Sequence, residues 1–345
     1  MITWEPVVSH VVRASPESKA ASCMPLLVML FFLPAAFLTH TRADAQPVYP
    51  VKPVRWVIPY SSGGPTERLA RVVGQSLSEM WGQQIVVDMR PGANSIIGTD
   101  LVTKATPDGY TMLMALPALA INPSVYKTLP YDALRDLAPI TLVASASYLF
   151  LVFPGLPAKS VSEVVALAKK RTGELSFGSG GVASPAHLAM ELFKQKTATQ
   201  LVHVPYKGGA PALTDLIAGQ IQIIVNPALS SLPMVKAGRL KALAVTSAKR
   251  SRLLPDLPTV AESINAAYDV TTWYGLFAPA GTPRTIIDKV RVGTARALQA
   301  KQVQDRLSEF DAEPVGSTPR EFEAFLKNEV INWRTVVQFA HVEAQ

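Results

Sequence analysis

The stretch Ile58-Pro59-Tyr60-Ser61-Ser62-Gly63-Gly64-Pro65-Thr66-Glu67 ends an apolar run over 54–58 and opens a segment in which Leu69, Val72, Val73 and Leu77 recur at three and four. The run reads as a buried strand and the segment as an amphipathic helix. Gly-Gly-Pro between them places proline at the first helical position. The device recurs in Phe177-Gly178-Ser179-Gly180-Gly181-Val182-Ala183-Ser184-Pro185 and in Val204-Pro205-Tyr206-Lys207-Gly208-Gly209-Ala210-Pro211. Proline there gives up an N–H that has no helical partner, and glycine lets a guest approach the backbone. The remaining free N–H groups at the positive end of a helix hold anions. In open α/β sheets such groups gather at the carboxyl ends of the strands, where ligands bind. Glycine and proline also punctuate ordinary strand-to-helix connections, so the threefold recurrence, with Ser184 placed to cap, carries the argument.

Outward from these turns, short apolar runs alternate with helical patterns. Strands are expected at 54–58, 84–87, 111–115, 148–153, 175–178, 200–204, 221–225, 240–245 and 273–278, and Val161, Val164, Val165 and Ala168 mark another helix. Alternation of this kind implies parallel sheets built from βαβ units. Proline-containing joints at 154–157 and 279–283 suggest boundaries. Two closing helices are expected at 282–310 and 318–338, the second opened by Thr318-Pro319 with Glu321 in capping-box spacing, the pair folding back on the first domain.

The 345 residues leave room for two ordinary domains at roughly 100 to 200 residues each. With 48% hydrophobic and 17% charged residues, the chain is far from a disordered composition. Residues 1–45 read differently. Arg13 and Lys19 precede an apolar run over 24–38, then Ala43-Asp44-Ala45 forms a small-x-small site before Gln46, the layout of a cleaved export signal. Met24 is an alternative start that leaves this cut in place. Cys23 is the single cysteine and falls inside the leader, so a disulfide framework, a cysteine-ligated metal and a thiol nucleophile are excluded from the mature chain.

The leader balances three basic residues against three acidic ones, so the net charge of +7 belongs to the mature chain. It is compatible with an anionic ligand, but the basic residues are spread along the chain, and groups such as Lys169-Lys170-Arg171 and Lys249-Arg250 read first as solvated helix and loop ends. No basic run interleaved with aromatics supports nucleic-acid binding. Gly178-Ser179-Gly180-Gly181-Val182-Ala183 fits a dinucleotide pattern, but no acid follows near residue 200. Ser179, Ser184, His187 and Asp215 are the raw material of a hydrolase, yet no Gly-x-Ser-x-Gly elbow exists. His187, His203 and His341 lack metal-ligand spacing, and His203, alternating with Val202 and Val204, reads as a hydrogen-bonded core histidine. No catalytic residue, metal or cofactor is therefore expected. Tyr60 and Tyr206 beside their glycines either wall a guest or pack over the turn, and Trp273-Tyr274 reads as core or hinge packing.

The chain resembles the Bug, or tripartite tricarboxylate transporter substrate-binding, family of periplasmic proteins. The likeness runs from Tyr49-Pro50-Val51-Lys52-Pro53 through Arg90-Pro91-Gly92-Ala93, Pro107-Asp108-Gly109-Tyr110 and His203-Val204-Pro205-Tyr206-Lys207-Gly208 to Ala278-Pro279-Ala280-Gly281-Thr282-Pro283. It implies an α/β, type II periplasmic-binding-protein-like Venus flytrap, with two α/β domains joined by two crossover strands. On that reading residues 46–147 plus 271–345 form one domain and 148–270 the other. A small organic carboxylate would then meet Gly63, Gly64, Thr66 and Glu67 from one side and Ser179, Gly180, Ser184, His187, Tyr206 and Asn226 from the other. The resemblance further implies a monomeric periplasmic receptor that delivers its ligand to membrane transporter subunits or, alternatively, reports it to a sensor kinase. The family usually carries Asp where Glu67 and Gln222 stand, and a hydroxyl where Ala183 stands. A longer Glu67 is expected to reach further into the cleft, and Ala183 to remove a donor.

Overall fold

The computed structural model of the protein describes residues 49–309, 311–340 and 342. The leader, its cleavage site and His341 lie outside the described residues.

The first half lays down β1 (Val54–Ile58), α1 (Pro65–Trp81), β2 (Ile85–Met89), α2 (Ile96–Thr103), β3 (Thr111–Ala115) and α3 (Ala118–Val125), with β1 between β2 and β3 in parallel. Expected and observed bounds coincide for β1 and β3, because each is a short apolar run closed by turn residues. The strand expected to begin at 148 is the end of a longer one, β4 (Leu137–Val152), whose first part carries Pro139 and two register shifts. Those irregularities break the apolar alternation that marks a strand.

The second half follows with α4 (Val161–Lys170), β5 (Ser176–Ser179), α5 (Pro185–Thr197), β6 (Val202–Pro205), α6 (Gly209–Ile217), β7 (Ile223–Pro227), α7 (Ala228–Lys236), β8 (Lys241–Val245) and α8 (Val260–Ile264). β5 lies between β6 and β7 in parallel. The chain then returns through β9 (Thr271–Pro279), α9 (Arg284–Gln299), α10 (Lys301–Glu309), β10 (Ala312–Pro314) and α11 (Pro319–Phe339).

β4 belongs to both halves. Residues 137–147 pair antiparallel with β9, which also pairs with β3, while 148–152 pair with β7 and β8. One sheet order, β2-β1-β3-β9-β4-β7-β5-β6, therefore runs through the molecule. One apolar cluster spans both halves, joining Leu119 and Phe277 to Phe150, Phe177 and Phe193. Two others cover the remaining faces, one packing α1 and α9 on β1, the other packing α6 and α7 on β4 and β7.

The single helix expected over 282–310 is two, α9 and α10, broken at Ala300 in an extended conformation (ψ 129°). No proline or glycine announces the break; Val303 and Leu307 are fully buried against the α1 and β1 cluster only because the chain turns there. The capping box at Thr318 and Glu321 forms as expected, and a second forms at Thr259 and Glu262. α9 packs on α1 as expected of the closing helices, whereas α11 lies on α3 and β4 and also reaches α5 in the other half.

Candidate ligand-binding site

The strand-to-helix turns of both halves converge on one cavity of about 850 Å³, where five helices open. Gly63, Gly64 and Pro65 bring the start of α1, Pro117 and Ala118 that of α3, and Ser184 and Pro185 that of α5. Gly208 and Gly209 bring α6, and Asn226 and Pro227 bring α7. At four of these helices the capping residue, Gly64, Pro117, Gly208 or Pro227, makes no side-chain cap. Their first-turn N–H groups are unsatisfied by side chains and carry the positive ends of the helix dipoles. At α5, Ser184 Oγ accepts the His187 N–H at 3.3 Å.

The charged lining has one sign. Lys207 and Arg239 border the cavity, no carboxylate does, and neither cation enters an ion pair among the described residues. The walls are mostly apolar, with Tyr60, Tyr148, Tyr274, Leu116, Leu213, Ile217 and Met234. Tyr60 lines the cavity, and its hydroxyl accepts the Leu116 N–H at 3.1 Å, tying the α1 turn to the α3 turn. Buried Asn226 donates through Nδ2 to Ser230 Oγ at 2.8 Å and Ser231 Oγ at 2.9 Å, which leaves its Oδ1 facing Gly209.

Of the residues expected from sequence, Gly63, Gly64, Gly180, Ser184 and Asn226 line this cavity. Thr66, Glu67, Ser179, His187 and Tyr206 stand behind the lining. Glu67 turns back instead of reaching inward, accepting the Gly63 N–H at 2.7 Å and pairing with Arg71 at 2.6 Å. That backbone hydrogen bond, with Arg71, holds its pKa below the usual carboxylate value. Tyr206 donates to Asp215 at 2.8 Å and packs over Gly178; burial, then Asp215, pushes its phenol up to about 12. Gln222 accepts from the Ser176 N–H at 2.9 Å, and Ala183 is buried, so none of the three positions that depart from the family pattern borders the cavity.

Ser179 is fully buried, and its hydroxyl meets His203 Nε2 at 2.7 Å and the Gly181 carbonyl at 2.9 Å. His187 stacks on His203, and its Nδ1 accepts the N–H of Ala183 at 3.1 Å. That bond turns the ring nitrogen to the backbone and away from Ser184, and Asp215 is committed to Tyr206. The serines, histidines and aspartate therefore brace the loop and assemble no nucleophile, base and orienter. Among the described residues no group of three or more His, Cys, Asp or Glu is placed to hold a metal. The lining residues missed from sequence, chiefly Lys207 and Arg239, carry no local signal, since single basic residues beside a turn usually face solvent.

Two α/β lobes sharing two long strands, with helix openings and two cations around the space between, define a solute-binding protein of the periplasmic Venus-flytrap class. The chain belongs to the tripartite tricarboxylate transporter family receptor family, whose model matches residues 69–341. A UPF0065 protein from the tcbD-tcbE intergenic region of a Pseudomonas species is 34% identical over 300 residues, 87% of this chain and 89% of that one. Among solved structures, an R. palustris protein with adipate superposes at a TM-score of 0.80 with 34% identity, covering 86% of this chain and 100% of that chain. The periplasmic binding protein BugD follows at 0.77 and 32%, with 86% and 100% covered. The family is one of transporter receptors and not of enzymes, and BugD is a periplasmic binding protein. No helix among the described residues is long and apolar enough to cross a membrane.

Proposed function

We propose that the protein is an exported, monomeric receptor that encloses a small organic carboxylate in this cavity and hands it to a tripartite tricarboxylate-type membrane transporter. One observation carries the reading: five helix openings and two cations, neither ion-paired among the described residues, surround a cavity that no carboxylate of those residues lines. Several N–H contacts to a charged oxygen, each worth roughly 1.5 to 3 kcal/mol net, make a selective anion site without any bond being made or broken. In this reading the lobes 46–147 plus 271–345 and 148–270 close about β4 and β9, ligand shifting the population toward the closed state. Export removes residues 1–45, with cleavage between Ala45 and Gln46.

The test is a thermal-shift screen against dicarboxylates, tricarboxylates, aromatic acids and neutral controls. Ligand at a hundred times its Kd adds about 2.7 kcal/mol of stability, enough to move the midpoint by several degrees. A selective shift with one acid supports the reading; a shift with a sugar or neutral amide and with no acid overturns it.

A further inference from the structure

The cavity does not end at the helix openings. It follows α6 from Gly209 through Leu213 to Ile217, and runs from Asn226 at the end of β7 along α7 through Ser230 to Met234. Within α6 these residues are spaced by four, as are Ser230 and Met234 within α7, so each set lies along one ridge of its helix, and both helices pack into one apolar cluster on the sheet. The eight residue-to-residue steps from Gly209 to Ile217 carry this groove roughly 12 Å beyond the turns, at the α-helical rise. Its walls change character on the way. At the openings lie backbone N–H groups and Lys207. Along the middle lie Leu213, Ile217 and Met234, the last an adaptable thioether that fits varied apolar guests. At the far end Arg239 borders the cavity, its Nη1 3.9 Å from Met234 Sδ, and no carboxylate pairs with it among the described residues. A short acid held at the turns leaves this apolar wall and the distant guanidinium unused.

We propose that the α6/α7 groove is a second anchoring subsite, selecting an elongated α,ω-dicarboxylate whose first carboxylate sits at the helix openings, whose methylene chain covers Leu213, Ile217 and Met234, and whose second carboxylate meets Arg239. This rests on the carboxylate reading above and specifies its ligand. Charge complementarity favours a diacid over a fatty acid, since a plain alkyl tail ending at Arg239 desolvates a cation without pairing it.

Isothermal titration of the protein with succinate, adipate, suberate and octanoate tests it, in the natural sequence and in Arg239→Ala. Suberate is expected to bind more tightly than both succinate and octanoate. The suberate-to-octanoate affinity ratio is expected to fall roughly fivefold in Arg239→Ala, the scale of one solvent-facing ion pair. Since Arg239 is exposed, folding is not at stake in that variant. Ile217→Glu, which puts a like charge midway along the groove, is expected to weaken suberate more than succinate. Affinities independent of chain length, or a suberate-to-octanoate ratio untouched by Arg239→Ala, overturn the subsite while the carboxylate reading stands. Silence from all four acids together with a shift by a neutral solute removes both.

Discussion

The imidazoles of His187 and His203 lie face to face, ring centroids 3.8 Å apart and planes 20° from parallel, behind the loop that delivers Ser184 to the cavity. Phe177 packs beside the pair, its ring centroid 4.9 Å from that of His203 and 6.2 Å from that of His187. Burial, then His203 and Lys194, lowers His187 to about 3; burial, then Lys194, lowers His203 to about 4. Both rings are neutral in the folded protein at neutral pH, which suits His187 Nδ1 accepting the Ala183 N–H.

These depressed values make stability depend on acid in a definite direction. Between the ordinary histidine pKa of about 6.5 and the folded values, the unfolded chain binds more protons than the folded one. Stability from the pair is thus fully present above about 6.5 and falls progressively toward pH 4 and below. Urea denaturation from pH 8 to pH 4 is expected to show this decline, and His203→Gln, which keeps a partner for Ser179, to flatten it. An equal slope in the variant assigns the decline to other groups.

A methyl group at Gly209 would stand 2.7 Å from Asn226 Oδ1, closer than real contacts allow. Asn226 is itself held by Ser230 and Ser231, so it has little room to yield. Gly209→Ala is expected to displace the amide and weaken carboxylate binding roughly three- to tenfold, the worth of one neutral hydrogen bond. Titration of the variant beside the natural protein checks this.

Glu67 shapes the Gly63-Gly64 turn from behind, through the Gly63 N–H and Arg71. Glu67→Ala is expected to loosen the turn and lower affinity severalfold. The stability cost should stay within about 1 kcal/mol, because the Arg71 pair is exposed. Calorimetric affinity and chemical denaturation measured together separate the two effects; a large stability loss with normal affinity contradicts the assigned role.

Glu329 accepts hydrogen bonds from Trp273 Nε1 at 2.7 Å and Trp333 Nε1 at 3.0 Å, pinning α11 to β9. Both indoles are buried, and burial raises the Glu329 pKa. Glu329→Ala strands two donors and is expected to cost about 2 to 4 kcal/mol. Glu329→Gln keeps an acceptor oxygen and should cost less. The difference in denaturation midpoints measures it.

Much of the architecture was legible because it is written in local patterns. β1, β3, the capping box at Thr318 and the helix starts at Pro65 and Pro185 each depend on a few adjacent residues, and each appears where the sequence places it. At the third turn α6 opens at Gly209, which makes Pro211 its third residue and not the first that was expected. The first part of β4 and the three-residue β10 escaped notice, since they exist through pairing with each other and with β9 and not through their own composition.

By itself, then, the sequence determined an α/β fold and the placing of helix openings at the strand ends, both consequences of short-range periodicity and turn chemistry. Tertiary packing alone decided which side chains face the ligand space. It sent Glu67 back to Gly63 and put His187 behind the loop instead of in the cleft. It broke the closing helix at Ala300 so that Val303 and Leu307 reach the core, and it packed α6 and α7 on one sheet so that Lys207 and Arg239 border one cavity. The physical reason is that a side chain's direction and partners depend on residues tens of positions away, brought near only when the apolar faces of sheet and helices close on one another.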